Sequence, residues 1–261
     1  VISSGSIERP LVFGNNDTPG VLLSSAAKEY MKVYGVLVGK KPIIFTNNDS
    51  AYETAIEFKK NGVDPIVLDS RKELSSDLIN EAKSLGINIK FEYVVVNANG
   101  YRKVKSADIA KISDDKTTLG KIENIVCDCI CVSGFWTPTI HLASQSGGKT
   151  KFNEEIDAFI PSKSKQNETT VGSANGIFNL QDSLNTSFEV GYNLSKKITN
   201  EDNKLSVPTV VEKKNSKHDK FWCVPLPKGK KYKRFLDFQN DVAVSDIEIA
   251  IREGYRSIEH V

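Results

Sequence analysis

A chain of 261 residues with 39% hydrophobic side chains can bury the core of one large domain or two ordinary ones, and its balance of 35 Lys and Arg against 33 Asp and Glu excludes the basic footprint of a nucleic-acid binder. No run approaches the roughly 20 apolar residues that span a bilayer, and the sequence opens without the charged, apolar and small-residue pattern of a leader. A soluble cytoplasmic protein with no membrane or nucleic-acid partner is expected, and the Lys-rich stretch from Lys228 to Lys233 reads as a solvated linker.

In chain order, Val1-Ile2 reads as the end of a strand, and the absence of an initiating Met leads us to expect a piece of a longer polypeptide. The small residues Ser3-Ser4-Gly5-Ser6 that follow allow close backbone approach to a ligand. Gly20 to Tyr34 predicts a helix, with Val21, Leu22, Ala26, Ala27, Tyr30, Met31 and Tyr34 on one apolar stripe and both tyrosines assigned to the core. The stretch from Lys41 to Asp69 predicts a β-α-β unit: Ile43, Ile44 and Phe45, a polar turn, a helix carrying Ala51, Ala55 and Phe58, a stop at Gly62, then Ile66, Val67 and Leu68. Asp69 stands about 20 residues after the turn, where a dinucleotide fold sets an acidic group on a ribose. The turn, however, reads Thr46-Asn47-Asn48-Asp49-Ser50 where that fold has glycines. The scaffold is therefore expected without its phosphate loop or nucleotide pocket, with Asn48 or Asp49 capping the helix.

Ser75 to Leu85 predicts a second helix and Ile87 to Phe91 a third parallel strand. Asn99-Gly100 separates two β-rich runs as in a hairpin, and Lys121 to Ser133 reads as one further strand. Cys127, Cys129 and Cys131 alternate along it and would share one face, with neighbours ~6.5 Å apart, too far for tetrahedral thiolate ligation; they read as core thiols of a reducing compartment. Trp136 and His141 lie in the following segment, VSGFWTPTIHLASQSGG. Trp136 reads either as domain packing or as a cofactor stack, and His141 either as an orienting hydrogen-bond donor or as a flavin or interface contact. A helix is predicted from about Asn175 to Lys197, on Leu180, Leu184, Phe188 and Leu194, with Gly172-Ser173-Ala174-Asn175-Gly176 as its N-terminal turn. Free backbone N–H groups in such a turn suit a pyrophosphate. Residues 199–220 read as a long exposed polar connection or a disordered loop, Phe221 to Pro227 as an apolar return, and Ser245 to Glu253 as a short helix on an arm facing a partner domain or subunit. His218 and His260 stand far from His141, Asp237, Asp241 and Glu259 read as caps or surface pairs, and no serine-elbow or zinc-protease motif is present, so no catalytic or metal-ligating residue is assigned.

These residues carry a resemblance. SGSIERPLVFGNNDTPGV, Tyr34-Gly35-Val36, FTNNDSAYETA, VSGFWTPTIHLASQSGGK, DAFIP and FLDFQNDVAVSDIEIAIREGYRSIEHV are similar to successive blocks of the alpha subunit of heterotetrameric bacterial sarcosine oxidase. The resemblance implies an α/β, Rossmann-like two-dinucleotide-binding-domain flavoprotein fold, with an incomplete first domain and an inserted βαβ domain carrying a β-meander. Residues 1–20 and 136–198 would belong to the first nucleotide domain, 21–135 to the inserted one, and 199–261 to a linker and arm leading toward a folate-type domain beyond Val261. It further implies oxidation of sarcosine to glycine, with hydrogen peroxide and with formaldehyde or methylenetetrahydrofolate as the other products. NAD would bind the alpha subunit, FMN the alpha/beta interface, FAD the beta subunit and tetrahydrofolate the further domain, with beta, gamma and delta subunits as partners. The implied cofactor-binding residues are Ser3, Ser4, Gly5, Gly172, Ser173, Ala174, Asn175 and Gly176, with Trp136 and His141, while the glycine fingerprint for NAD would lie upstream of Val1. Two departures stand out: Ser3-Ser4-Gly5-Ser6 where relatives commonly carry an Ala-Thr-Gly-Ala type of turn, and Gly134-Phe135-Trp136 where Gly-Gly-Trp is usual. An alpha subunit of a related opine, proline or hydrogen-cyanide-forming amine dehydrogenase is the alternative enzyme, and a non-catalytic binding or scaffold module the alternative outside enzymes. The chain alone is expected to be inactive.

Overall fold

The computed structural model describes residues 1–200, 202, 205–211, 214 and 216–258. The elements run β1 (Ser6–Glu8), β2 (Val21–Leu23), α1 (Ser24–Tyr34), β3 (Pro42–Thr46), α2 (Ser50–Lys60), β4 (Ile66–Asp69), α3 (Asp77–Ser84), β5 (Asn88–Phe91), β6 (Tyr93–Asn99), β7 (Ser106–Ile112), β8 (Leu119–Val126) and β9 (Cys129–Ser133). They continue with β10 (Trp136–Pro138), α4 (His141–Gln145), β11 (Lys149–Asn153), β12 (Ala158–Lys163), a 3-10 turn at Gly172–Asn175, α5 (Leu180–Thr199), β13 (Phe235–Asp237), β14 (Val242–Ala243) and α6 (Val244–Arg252). Two compact units form: the first from Val1–Glu8 and Trp136–Lys213, the second from Arg9–Phe135 and Lys214–Val261.

The second unit is built on a five-stranded parallel sheet in the order β2-β9-β3-β4-β5. Alternation along each buried strand sends side chains to opposite faces. Ile43 and Phe45 of β3, Leu68 of β4, and Ile130 and Val132 of β9 pack with Val94, Val95 and Ile109 of the antiparallel meander β6-β7-β8. Ile44, Val67, Cys129 and Cys131 face the helices, against Ala27, Met31, Tyr52, Ala55, Phe58, Ile79 and Ala82. The sheet is therefore the middle of three layers, with helices on one face and the meander on the other. Phe221 and Val224, expected on an apolar return toward a partner, lie in the meander-side core of this unit. They are tied to Val12 by backbone hydrogen bonds, Val12 N–H to Trp222 O and Val224 N–H to Val12 O, each at 2.8 Å.

Several sequence expectations need correction. Val21–Leu23 is not helical, because its backbone pairs in parallel with Ile130–Val132 and the helix starts at Ser24. Tyr30 and Tyr34 are 47% and 64% exposed; Ala27 and Met31 face inward instead, and the two rings pack on each other at 5.8 Å. Lys121 to Ser133 is two strands, parted at Asp128, whose carboxylate accepts the Lys40 and Lys41 N–H groups at 2.8 Å. Cys127 consequently packs on the meander side while Cys129 and Cys131 face the helices, so the three do not share a face. Phe135 holds φ 74, a left-handed conformation that a bulky residue rarely adopts.

In the first unit β1 pairs antiparallel with β10, and β11 with β12. Its buried apolar side chains among the described residues are few: Ala143, Ala158, Ile160, Val171 and Ala174. The helix expected from Asn175 begins at Leu180 instead. Gly176 takes a left-handed φ of 78 that ends the 3-10 turn, and Asn179 then caps α5, its side chain accepting Asp182 N–H at 2.8 Å. No residue of α5 is buried. Asp237 does cap a turn, accepting Gln239 and Asn240 N–H groups, and these bonds, that of the Asn240 side chain foremost, hold its carboxyl below the usual range. Glu259 and His260 lie outside the described residues.

Candidate functional site

All ten residues expected at a cofactor fall in the first unit. Ile2 and Thr170 form a parallel bridge, with Ile2 N–H to Thr169 O at 2.8 Å and Val171 N–H to Ile2 O at 2.9 Å. Two segments thus run side by side in one direction and deliver Ser3-Ser4-Gly5 and Gly172–Gly176 to the same end. This is the arrangement in which parallel strand ends meet a nucleotide. The Ser4 hydroxyl donates to Thr139 O at 2.7 Å, and Gly5 O accepts Thr139 N–H at 3.0 Å.

The glycines differ in what they do. Gly5 holds φ 77 and a Cβ there would meet no atom within 4 Å, so the backbone faces open space at a position only glycine takes without strain. Gly176, at φ 78, is packed: a Cβ would come within 2.9 Å of Ile156 Cδ1 and 3.0 Å of Ile160 Cγ2. A cavity of about 510 Å³ adjoins Gly176, lined also by Ile177, Phe178, Asn179 and Asp182. Another of about 510 Å³ lies between Phe188 and Tyr192 of α5 and Leu205, and includes none of the ten. Ser3 is exposed, Ser173 and Asn175 are half-buried, and Ala174 is fully buried. Trp136 opens β10 opposite Glu8 and is half-buried; His141 is the exposed first residue of α4.

The second unit presents its own strand ends. Thr46, Asp69 and Ser133 close β3, β4 and β9, all three fully buried. Asp69 is held by Arg71, whose Nη2 lies 2.7 Å from Asp69 Oδ2 and 2.9 Å from Asp49 Oδ1, and the Tyr52 hydroxyl donates to Asp69 Oδ2 at 2.8 Å. Burial works against the Arg71 charge, but its bonds to Asp69 and the charges of Asp69 and Asp49 outweigh this and raise its pKa. Burial first, and then the Asp69 charge, push the Tyr52 phenol up, so it stays a donor. At the helix start Asn48 Oδ1 accepts Ser50 N–H at 3.0 Å. Asp49, although at the N-cap position, makes no side-chain cap bond; its carboxylate receives the Ser216 hydroxyl at 2.6 Å and the Ser216 N–H at 2.7 Å. Sequence reasoning weighed Asp69 and missed Arg71 and Ser216. An Arg two residues past an acidic strand end was the available local signal, whereas Ser216 lies 167 residues from Asp49 and had none.

Comparison with known proteins places the chain. The sarcosine oxidase A3 domain family matches residues 231–261. Over 99% of its length the chain is 33% identical to the sarcosine oxidase subunit alpha of Rhizobium meliloti (strain 1021), and over 100% it is 31% identical to that of Corynebacterium sp. (strain P-1). It spans about a quarter of these relatives' own length, 25% and 27%. In fold it is similar to an HOCl-induced flavoprotein disulfide reductase from Escherichia coli, at TM-score 0.54 and 14% identity over 76% of this chain and 43% of that one. It is also similar to T. acidophilum thioredoxin reductase, at TM-score 0.53 and 14% identity over 68% and 58%. L-proline dehydrogenase from P. horikoshii matches at TM-score 0.51 and 21% identity over 97% and 45%. The architecture is the Rossmann-like α/β fold of such flavoproteins, and from end to end the chain is a relative of the sarcosine oxidase alpha subunit.

Proposed function

We propose that the chain is part of an oxidoreductase that oxidises sarcosine, as a segment of its alpha subunit. The observation that carries this reading is the likeness to sarcosine oxidase alpha subunits along the whole chain, 33% and 31% identical. The reaction balances as sarcosine, water and oxygen giving glycine, formaldehyde and hydrogen peroxide, with tetrahydrofolate capturing the one-carbon unit as methylenetetrahydrofolate when present. In this reading FAD held by the beta subunit would supply the oxidation of the amine, FMN at the alpha/beta interface would supply the reaction with oxygen, and gamma and delta subunits would complete a heterotetramer.

The first unit is the nucleotide-binding part, and its residues fit a dinucleotide. Gly5 offers open space beside a backbone that the Thr139 bonds hold in place. Ser3, Ser4 and Gly5 with Gly172, Ser173, Ala174, Asn175 and Gly176 would hold NAD by backbone and hydroxyl groups, Ala174 as buried support. Trp136 and His141 would face FMN, His141 from its exposed place at the start of α4. Residues 199–261 lead toward a folate-type domain. Four free thiols, at Cys127, Cys129, Cys131 and Cys223, fit a reducing compartment, and no helix among the described residues is long and apolar enough to cross a membrane; we place the protein in the cytoplasm.

The test is peroxide release from sarcosine by the full-length alpha subunit assembled with its partners, beside the 261-residue chain alone. The assembled enzyme is expected to turn over and the chain alone is not. A second reading, an alpha subunit of an opine, proline or hydrogen-cyanide-forming amine dehydrogenase, shares the scaffold that L-proline dehydrogenase from P. horikoshii also shows. Oxidation of L-proline with a dye acceptor, and none of sarcosine, would favour it.

A further inference from the structure

In an open parallel sheet a nucleotide sits where the strand order reverses, at the carboxyl ends of the two strands flanking that point. In the second unit the chain passes from β3 outward through β4 and β5, then returns to β9 on the other side of β3, so the crevice belongs between the ends of β3 and β9. It is filled by the protein itself. Asn48 Nδ2 bridges to Ser133 at the end of β9, donating to its hydroxyl at 3.0 Å and its carbonyl at 3.3 Å. Asn47 Nδ2 donates to Asp219 O at 2.8 Å and Phe221 O at 3.1 Å, and Asn47 O accepts Asp219 N–H at 2.9 Å.

Residues 216–221 contact the segments that follow β3, β4 and β9. Ser216 caps the Asp49 carboxylate at the start of α2, and Arg71 Nη1 donates to Ser216 Oγ at 3.0 Å and Lys217 O at 3.1 Å. His218 stacks on Phe135, just past β9, with ring centroids 4.0 Å apart and planes within 7°. Asp219 pairs with Lys116 at 3.2 Å, and Phe221 is buried in the core. The chemistry that would recruit a dinucleotide is answered on both counts. At the helix N-terminus, where a phosphate would gain from free N–H groups and the dipole, stands the Asp49 carboxylate. On Asp69, where a ribose would bind, stands the Arg71 guanidinium.

We propose that residues 216–221 are a built-in strap that keeps the crevice of the second unit shut. This unit therefore takes no dinucleotide, and its strand ends serve to hold the returning chain. Three groups that bond the strap stand where a ligand would be met: Asp49 in place of the anion, Arg71 in place of the sugar hydroxyls, and Asn47 at the end of β3.

The experiment is hydrogen exchange of the full-length subunit in its complex, read by mass spectrometry over 46–52, 69–71 and 216–221. In the wild type the amides of Ser216, Asp219 and Phe221 are expected to exchange slowly. NAD, NADP, FAD or ATP at millimolar concentration is expected to change none of the three segments. Asn47→Ala removes two bonds to the strap without leaving a buried charge and is expected to speed exchange at 219–221 by about 5- to 30-fold. Arg71→Met is expected to speed 216–221 at least as much, and Asn47→Ala decides if that variant does not fold. The proposal is overturned if the wild-type strap exchanges as an open chain, if Asn47→Ala leaves it unchanged, or if any of the nucleotides slows 46–52 and 69–71 or loosens 216–221. Sarcosine turnover is not read here, so the outcome is independent of the assigned reaction.

Discussion

The two units resolve one architectural opportunity in opposite ways. Each brings the ends of parallel segments together. In the second unit the ends of β3, β4 and β9 are packed under Arg71, Asn47 and Ser216, over a core that completely buries Tyr52, Phe13, Phe45 and Phe58. In the first, the Ile2–Thr170 bridge brings the two segments side by side, the buried apolar side chains are few, and Gly5 faces open space. A strand-end crevice is thus not a site by topology alone.

The largest expected effect lies in the second unit's core. Phe45 is fully buried and packs edge-on against Phe13 at 5.9 Å, so Phe45→Ala is expected to cost about 3–5 kcal/mol in denaturant unfolding of that unit. Ile160→Val in the first unit, by contrast, is expected to cost about 0.5–1.5 kcal/mol. A Phe45→Ala cost no larger than that of Ile160→Val would show that Phe45 is not packed as its burial implies.

An alkaline titration sharpens the contrast by chemistry. Burial pushes the Cys127 thiol from 9.0 up to about 12, and burial with Asp69 pushes the Tyr52 phenol above its ordinary 10.0. Both groups hold their protons more tightly folded than unfolded. Their contribution is therefore whole below pH 9 and declines as pH rises from 9 toward 12, because the unfolded chain loses these protons first. Monitored unfolding of the second unit is expected to weaken over that range, and Cys127→Ala with Tyr52→Phe is expected to flatten the dependence. An unchanged slope in the double variant would locate the alkaline sensitivity elsewhere.

Much of the second unit was legible because its signals are short-range. The apolar runs Ile43-Ile44-Phe45 and Ile66-Val67-Leu68 are local and gave the β-α-β core. The misreadings came where distant partners decide. Val21–Leu23 has helix-compatible spacing, yet its backbone is claimed by β9, more than 100 residues on. Cys127, Cys129 and Cys131 look like one strand until Asp128 is seen bonding Lys40 and Lys41. The end of the polar stretch 199–220 carries no periodicity, and only contacts with Asp49 and Asn47 reveal that Ser216 and Asp219 are fixed. In the first unit the small residues at 3–5 and 172–176 were visible, but the bridge of Ile2 to Thr170 that makes them neighbours was not.

The smallest effect tests the edge of the first unit. Asn179 supplies the side-chain cap of α5, so Asn179→Ala is expected to cost about 1 kcal/mol and to raise exchange chiefly at 180–184, leaving the second unit untouched.

Addition of NAD distinguishes the two units most directly. Hydrogen exchange of the assembled enzyme with and without NAD is expected to show slowing at 1–8 and 169–177 and no change at 46–52, 69–71 or 216–221. Slowing in the second unit, with the first unit unchanged, would contradict it.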